Sequence, residues 1–203
     1  MIDMHTHVVP ADFPAYPGKQ LGHAWPCMHC GEHHRTVMIG GKPFRQVEDN
    51  AWDPRRRIDE MAAEGVAVQV LSPMPELLSY WFELPDALAF GRHINGTIAA
   101  MVAHDPSHFH GLGMVPLQDP QRAAREVRSL KHEFGLRGVE AGSNINGIAL
   151  ADRRFDPFFQ ALEEEDMCLF VHALHPTTER LYGPALMEAL VAFPNENGLG
   201  IAA

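Results

Sequence analysis

The sequence predicts an α/β fold built on a parallel sheet, and three observations carry that expectation. Short apolar or β-branched runs alternate with amphipathic segments, which is the pattern of βα units. Three of the intervening segments open with Asp-Pro, a dipeptide that sets a capping carboxylate before a residue suited to the first helical position. A chain of 203 residues with 46% hydrophobic and 21% charged content can bury a sizeable core within one globular domain.

Taken in order, the candidate strands are 2–9, 67–73, 111–117, 136–142 and 167–174. The first helix starts at Asp53-Pro54, turns Ile58, Met61 and Ala62 inward, and stops at Gly65. A longer helix over 85–103 carries Leu88, Ile94, Ile98, Met101 and Val102 on its inner face. Asp119-Pro120 opens the next, with Ala123, Val127, Leu130 and Phe134 at helical spacing before Gly135. Asp156-Pro157 opens another, and 184–203 reads as the helices after the fifth strand. Segment 10–50 differs from all of these. It is rich in Pro, Gly and His, too long for an ordinary βα loop, and contains one small hairpin, 36–39 and 44–47 around Gly40-Gly41.

Sixteen basic against 26 acidic residues give a net charge of −10, so nothing marks the chain for nucleic acid or an anionic membrane. No uninterrupted apolar run reaches the roughly 18 residues a spanning helix needs. Three cysteines are too few for a disulfide framework, and the start leads directly into a strand, so the expected location is cytoplasmic.

Thirteen histidines are the unusual feature, since neutral imidazole is the commonest metal ligand. In Asp3-Met4-His5-Thr6-His7 the two imidazoles stand two apart on a strand, so they point to one side and can share an ion. They also sit at the end of the first strand, where α/β barrels place catalytic side chains. Cys168-Leu169-Phe170-Val171-His172 is a second apolar strand ending in histidine; His175 competes for the same role but lies farther into the loop. Cys27-Met28-His29-Cys30, with His23, His33 and His34 around it, has the Cys-x-x-Cys spacing of a structural zinc clip that could hold a second metal, but a His-rich surface loop with reduced thiols is the preferred reading. Tyr80-Trp81-Phe82 either lines a pocket for a flat substrate or covers the first turn of a helix.

Several of these blocks together resemble the aminocarboxymuconate-semialdehyde decarboxylase branch of the amidohydrolase superfamily. They are the Ile2-Asp3-Met4-His5-Thr6-His7 start, Phe44-Arg45-Gln46-Val47, Trp52-Asp53-Pro54 with Arg57-Ile58-Asp59-Glu60-Met61, Val115-Pro116-Leu117-Gln118 and Phe170-Val171-His172. The resemblance implies a (β/α)8 barrel of the metal-dependent hydrolase type, of which about five βα units are present in a single domain over 1–203. It implies His5, His7 and His172 as ligands of one divalent ion, zinc being expected, and Arg45 as the group that grips a substrate carboxylate. A guanidinium suits that task because it stays charged and offers two parallel N–H donors. The activity implied is non-hydrolytic decarboxylation of a small unsaturated or aromatic acid. A hydrolase of the same superfamily, or an inactive fragment with a metal-binding or assembly role, are the competing readings, and a homodimer is left open. The family's remaining ligand and its proton donor come from later strands, so the chain is expected to be cut short at its C-terminus and no general acid is assigned.

Overall fold

Residues 1–16, 25–31, 35–175 and 188–202 are described by the structure, a computed structural model. Along the chain, β1 (Ile2–Val8) is followed by β2 (Pro26–Cys30), β3 (Arg35–Ile39) and β4 (Lys42–Val47). Next come α1 (Pro54–Glu64), β5 (Val68–Pro73), α2 (Leu84–His104), β6 (Phe109–Gly113), α3 (Pro120–His132) and β7 (Gly138–Gly142). A short ribbon, β8 (Asn144–Ile145) and β9 (Ile148–Ala149), precedes α4 (Asp156–Glu164), β10 (Cys168–His172) and α5 (Phe193–Ala202). No helix among the described residues is long and apolar enough to cross a membrane.

The five crossover-linked strands form one parallel sheet in chain order, β1-β5-β6-β7-β10. Strands spaced about 4.8 Å apart would set the edges of a flat five-stranded sheet roughly 19 Å from each other. Yet the rings of His5 on β1 and His172 on β10, the two edge strands, lie 5.1 Å apart. The sheet is therefore curled into a barrel-like wall, with both edges brought to a common interior. Outside it, Met61 of α1, Phe90, Ile94 and Ile98 of α2, Val127 and Leu130 of α3 and Phe158 of α4 pack on Leu71, Phe109 and Val139 to form the core.

Several expectations are corrected. The third strand begins earlier and ends at Gly113, because the Asn95 amide of α2 captures the next peptide, with Met114 N–H donating to Oδ1 (2.8 Å) and Nδ2 donating to Met114 O (3.0 Å). A Cβ at Gly113 would sit 2.4 Å from Leu130 Cδ2 and 2.9 Å from Asn95 Oδ1, so this strand needs glycine for its helices to approach. In α1, Ala62 is exposed while Arg57 is buried, since the inner face runs through Arg57 and Met61. Asp53 and Asp119 cap their helices through N–H groups of Arg55 and Arg122, but Asp156 does not; Asp152 caps a short 3-10 turn that runs straight into α4. The insertion hairpin forms as a two-residue turn with Gly40 and Gly41 both at positive φ, and gains a third strand, β2, paired antiparallel to β3. Tyr80 and Phe82 lie in the core ahead of α2, and Trp81 stacks on His175 at 5.2 Å.

Candidate metal centre

His5 and His7 leave β1 on the same side, as alternation requires, while Thr6 between them is buried and donates from Oγ1 to Val70 O (2.9 Å). The pairing register of β1 with β5 slips between Asp3 and Thr6, beside His5, and the His5 N–H is held by Asp3 Oδ1 at 3.1 Å. His172 arrives from the end of β10. The ligand atoms of His5, His7 and His172 all lie within 4.8 Å of one another, and among the described residues this is the one such group of metal-ligating side chains.

Hydrogen bonds on the far side of the His7 and His172 rings decide which nitrogen is available there. His7 Nδ1 lies 3.0 Å from Pro73 O, and His172 Nδ1 lies 2.8 Å from Ala173 O. A carbonyl only accepts, so both Nδ1 atoms carry the proton and both Nε2 atoms keep a free lone pair. His5 Nε2 and His7 Nε2 face each other at 3.1 Å. Two bonds of about 2.0–2.1 Å in a tetrahedral set place ligand nitrogens roughly 3.4 Å apart, so the donor set fits a divalent ion with little adjustment. Burial opposes protonation of two of the three rings. Burial, followed by the charges His172 and His5 would carry, pulls the His7 pKa down to about 4, and burial likewise lowers that of His172.

This ring opens into a cleft of about 1120 Å³ that Arg45 and Phe44 of β4 also line. Arg45 is exposed, and its charge is one of those that depress His7. His175 lines the same cleft without joining the ligand group, with Nε2 3.0 Å from Glu76 Oε2. Cys27 and Cys30 both lie on β2, where an i, i+3 spacing sends their side chains to opposite faces; His23, His33 and His34 lie outside the described residues.

Two site residues escaped the sequence reading. Arg57 donates through Nε to Asn50 O (2.7 Å), through one terminal nitrogen to His7 O (2.9 Å) and through the other to Gln69 Oε1 (3.4 Å). It ties the end of β1 to α1, and burial lowers its pKa to about 10. Glu140, fully buried on β7, places Oε2 3.8 Å from His7 Nδ1, and burial pushes its carboxyl up to about 8. The available signals were slight: Arg57 stands four residues before the buried Met61, and Glu140 is a lone acid within Gly-Val-Glu-Ala-Gly.

With this geometry, comparison with known proteins is decisive about family. The amidohydrolase family model matches residues 2–197. The chain belongs to the amidohydrolase family. It is 34% identical over 204 residues to 2-amino-3-carboxymuconate-6-semialdehyde decarboxylase of Dictyostelium discoideum, an alignment covering 98% of this chain and 56% of that protein. Among solved structures, this amidohydrolase chain is similar to 5-carboxyvanillate decarboxylase of Novosphingobium aromaticivorans, crystallised with manganese and 3-methoxy-4-hydroxy-5-nitrobenzoic acid. The TM-score is 0.66 with 30% identity over 72% of this chain and 43% of that one. An IDCase from Metarhizium anisopliae in apo form shares the fold, with TM-score 0.79 at 18% identity over 99% of this chain and 59% of that one. The chain spans about half the length of the curated relatives it matches, 56% and 45% for the two 2-amino-3-carboxymuconate-6-semialdehyde decarboxylases. The parallel strands thus form part of the (β/α)8 barrel wall, and the histidines sit where such barrels gather their functional groups, at the C-terminal ends of the strands.

Proposed function

We propose that the cleft is the substrate site of a metal-dependent decarboxylase acting on a small aromatic or unsaturated carboxylic acid. The observation that carries this is the convergence of His5, His7 and His172, two of them with Nδ1 committed to a carbonyl, beside the exposed guanidinium of Arg45. The printed activities of the relatives support it: 2-amino-3-carboxymuconate-6-semialdehyde and gamma-resorcylate decarboxylases by sequence, 5-carboxyvanillate and 2,6-dihydroxybenzoate decarboxylases by structure.

In this reaction class the carbon bearing the carboxylate accepts a proton, its bond to the carboxyl carbon breaks, and the electron pair returns to the conjugated system as carbon dioxide departs. Arg45 would grip the acid through paired N–H donors, turning its conjugated plane toward the histidines, while Phe44 offers an apolar surface at the same wall. A divalent ion bound there supplies Lewis acidity and a template for orientation. Its ligands in this chain would be His5, His7 and His172, and imidazole donors suit zinc, the ion expected here, while the similar 5-carboxyvanillate decarboxylase was crystallised with manganese. Three free cysteines accord with a reducing, cytoplasmic setting.

The test is metal analysis of the purified chain followed by titration with carboxylated aromatic acids and an assay for carbon dioxide. One zinc per chain is expected, lost in His172→Ala. Arg45→Ala should retain the metal and bind the acids about tenfold more weakly, the loss of a charge-assisted pair. Absence of stoichiometric metal, or acid binding indifferent to Arg45, would overturn the reading.

A further inference from the structure

Among the five residues of β7, all buried, one is an acid. Alternation turns Val139 and Ala141 toward the hydrophobic core, where both belong, and turns Glu140 to the concave face. There it is in register with Phe170, two residues before His172 on the neighbouring strand. Neither Glu140 oxygen has a hydrogen-bond partner among the described residues. The nearby Ser72 hydroxyl directs its proton to Thr6 O at 3.1 Å. A buried carboxyl with no donor beyond the Ser72 hydroxyl, close enough to oppose part of the upward shift that burial causes, is an unfavourable arrangement that calls for an explanation.

The explanation lies across one imidazole. Glu140 Oε2 is 3.8 Å from His7 Nδ1, while Nε2 of the same ring faces His5 Nε2 at 3.1 Å. Glu140 does not join the converging ligand atoms, so it stands behind the ring and not at its metal-facing edge. The three neutral imidazoles of this chain contribute no charge of their own to offset a divalent cation, so an anion near them strengthens binding in a buried setting. Histidine ligands are ordinarily backed by an acceptor at the other ring nitrogen, and a carboxylate in that place raises their basicity.

We infer that Glu140 is a positioning residue and the buried counter-anion of the trihistidine site, raising its affinity for a divalent cation through the His7 ring. This rests on the metal-centre reading above and adds to it a specific anionic partner on the fourth parallel strand. Pro73 O fixes the tautomer of His7; with a divalent cation in place, whose charge favours the ionised carboxyl, Glu140 supplies the countercharge.

The experiment measures the dissociation constants of Zn²⁺ and Mn²⁺ by chelator competition, at one pH, for wild type, Glu140→Gln and Glu140→Asp. Glu140→Gln is expected to bind each ion about 10- to 100-fold more weakly, the range for loss of an outer-shell partner, and Glu140→Asp, which keeps the charge, less than about tenfold more weakly. Metal-free Glu140→Gln should melt at or above the wild-type temperature, because a neutral isostere replaces an unpartnered acid. A role confined to packing would do the reverse, lowering that melting temperature while leaving the dissociation constants unchanged. Should Glu140→Gln not be recovered folded, Glu140→Leu is compared with Glu140→Asp, and equal affinities would overturn the inference. Equal metal affinity of wild type and Glu140→Gln removes Glu140's role alone, whereas a wild type that binds neither ion removes the metal centre and the inference with it.

Discussion

Two strands in this protein carry closely spaced metal-ligating side chains, and they come to opposite ends. On β1, His5 and His7 are two residues apart and face the same way; on β2, Cys27 and Cys30 are three apart and face opposite ways. The first pair meets His172 from the far edge of the curled sheet, and carbonyls direct the Nδ1 protons of His7 and His172 away from the shared space. The second pair is exposed, on the small antiparallel sheet of the insertion. A Cys-x-x-Cys spacing makes a chelate when the chain turns between the sulfurs, and extended backbone undoes it. Ligand spacing acquires meaning only with the conformation that carries it.

The largest effect is expected from removing side chains of these two strand systems in turn. His172→Ala should weaken zinc binding by at least about 100-fold, more than outer-shell changes do, whereas Cys27→Ser with Cys30→Ser should leave both stoichiometry and affinity unchanged. Elemental analysis and chelator competition check both, and metal lost from the cysteine variant would reverse the assignment.

Next in size is the support beneath the two regions. Arg57→Ala strips donors from His7 O, Asn50 O and Gln69 Oε1 in a buried place and is expected to destabilise the protein by about 2–4 kcal/mol. Arg45→Ala, on the exposed face of β4, should fall within about 0.5 kcal/mol of wild type. Urea unfolding of the two variants measures the contrast, and equal losses would show that Arg57 does not brace the end of β1.

A smaller effect appears with pH in the metal-free protein. His7 titrates at about 4 when folded against 6.5 for an ordinary imidazole. Between those values the unfolded chain holds more protons, so stability falls as pH is lowered from 6.5 toward 4. Glu140 has the opposite sign: at about 8 folded against 4.5, it leaves the folded chain holding more protons, and stability falls as pH rises from 4.5 toward 8. Melting temperatures should therefore decline less on acidification in His7→Gln, and less between pH 6.5 and 8 in Glu140→Gln, than in wild type. Parallel curves for wild type and both variants would contradict these environments.

A last contrast lies within the strand that the sequence placed too far along. Gly113→Ala forces a Cβ against the flexible Leu130 side chain and the Asn95 amide, and a loss of about 1–3 kcal/mol is expected, read from the denaturation midpoint. Gly41→Ala, at φ +73 in the insertion hairpin with open space around it, should lose less, about 1 kcal/mol, for backbone strain alone.

By itself the sequence determined the alternation of strands and helices, the caps at Asp53 and Asp119, the hairpin at Gly40-Gly41 and the shared face of His5 and His7. Each follows from local rules of periodicity and backbone preference that act within a few residues. It also offered His172 and Arg45, the first as an imidazole closing an apolar strand, the second through family resemblance. Tertiary structure alone decided that the strand ends meet, since only the curl of the sheet brings β1 within reach of β10. It alone showed that Asn95 ends the third strand, that Arg57 is drawn inward to the His7 carbonyl, and that Glu140 lies behind the His7 ring. Those are contacts between residues 19, 50 and 133 positions apart in the chain, and no local propensity encodes them. What fixes them is the closure of one curved wall on its own interior, where burial raises the stakes of every charge and hydrogen bond.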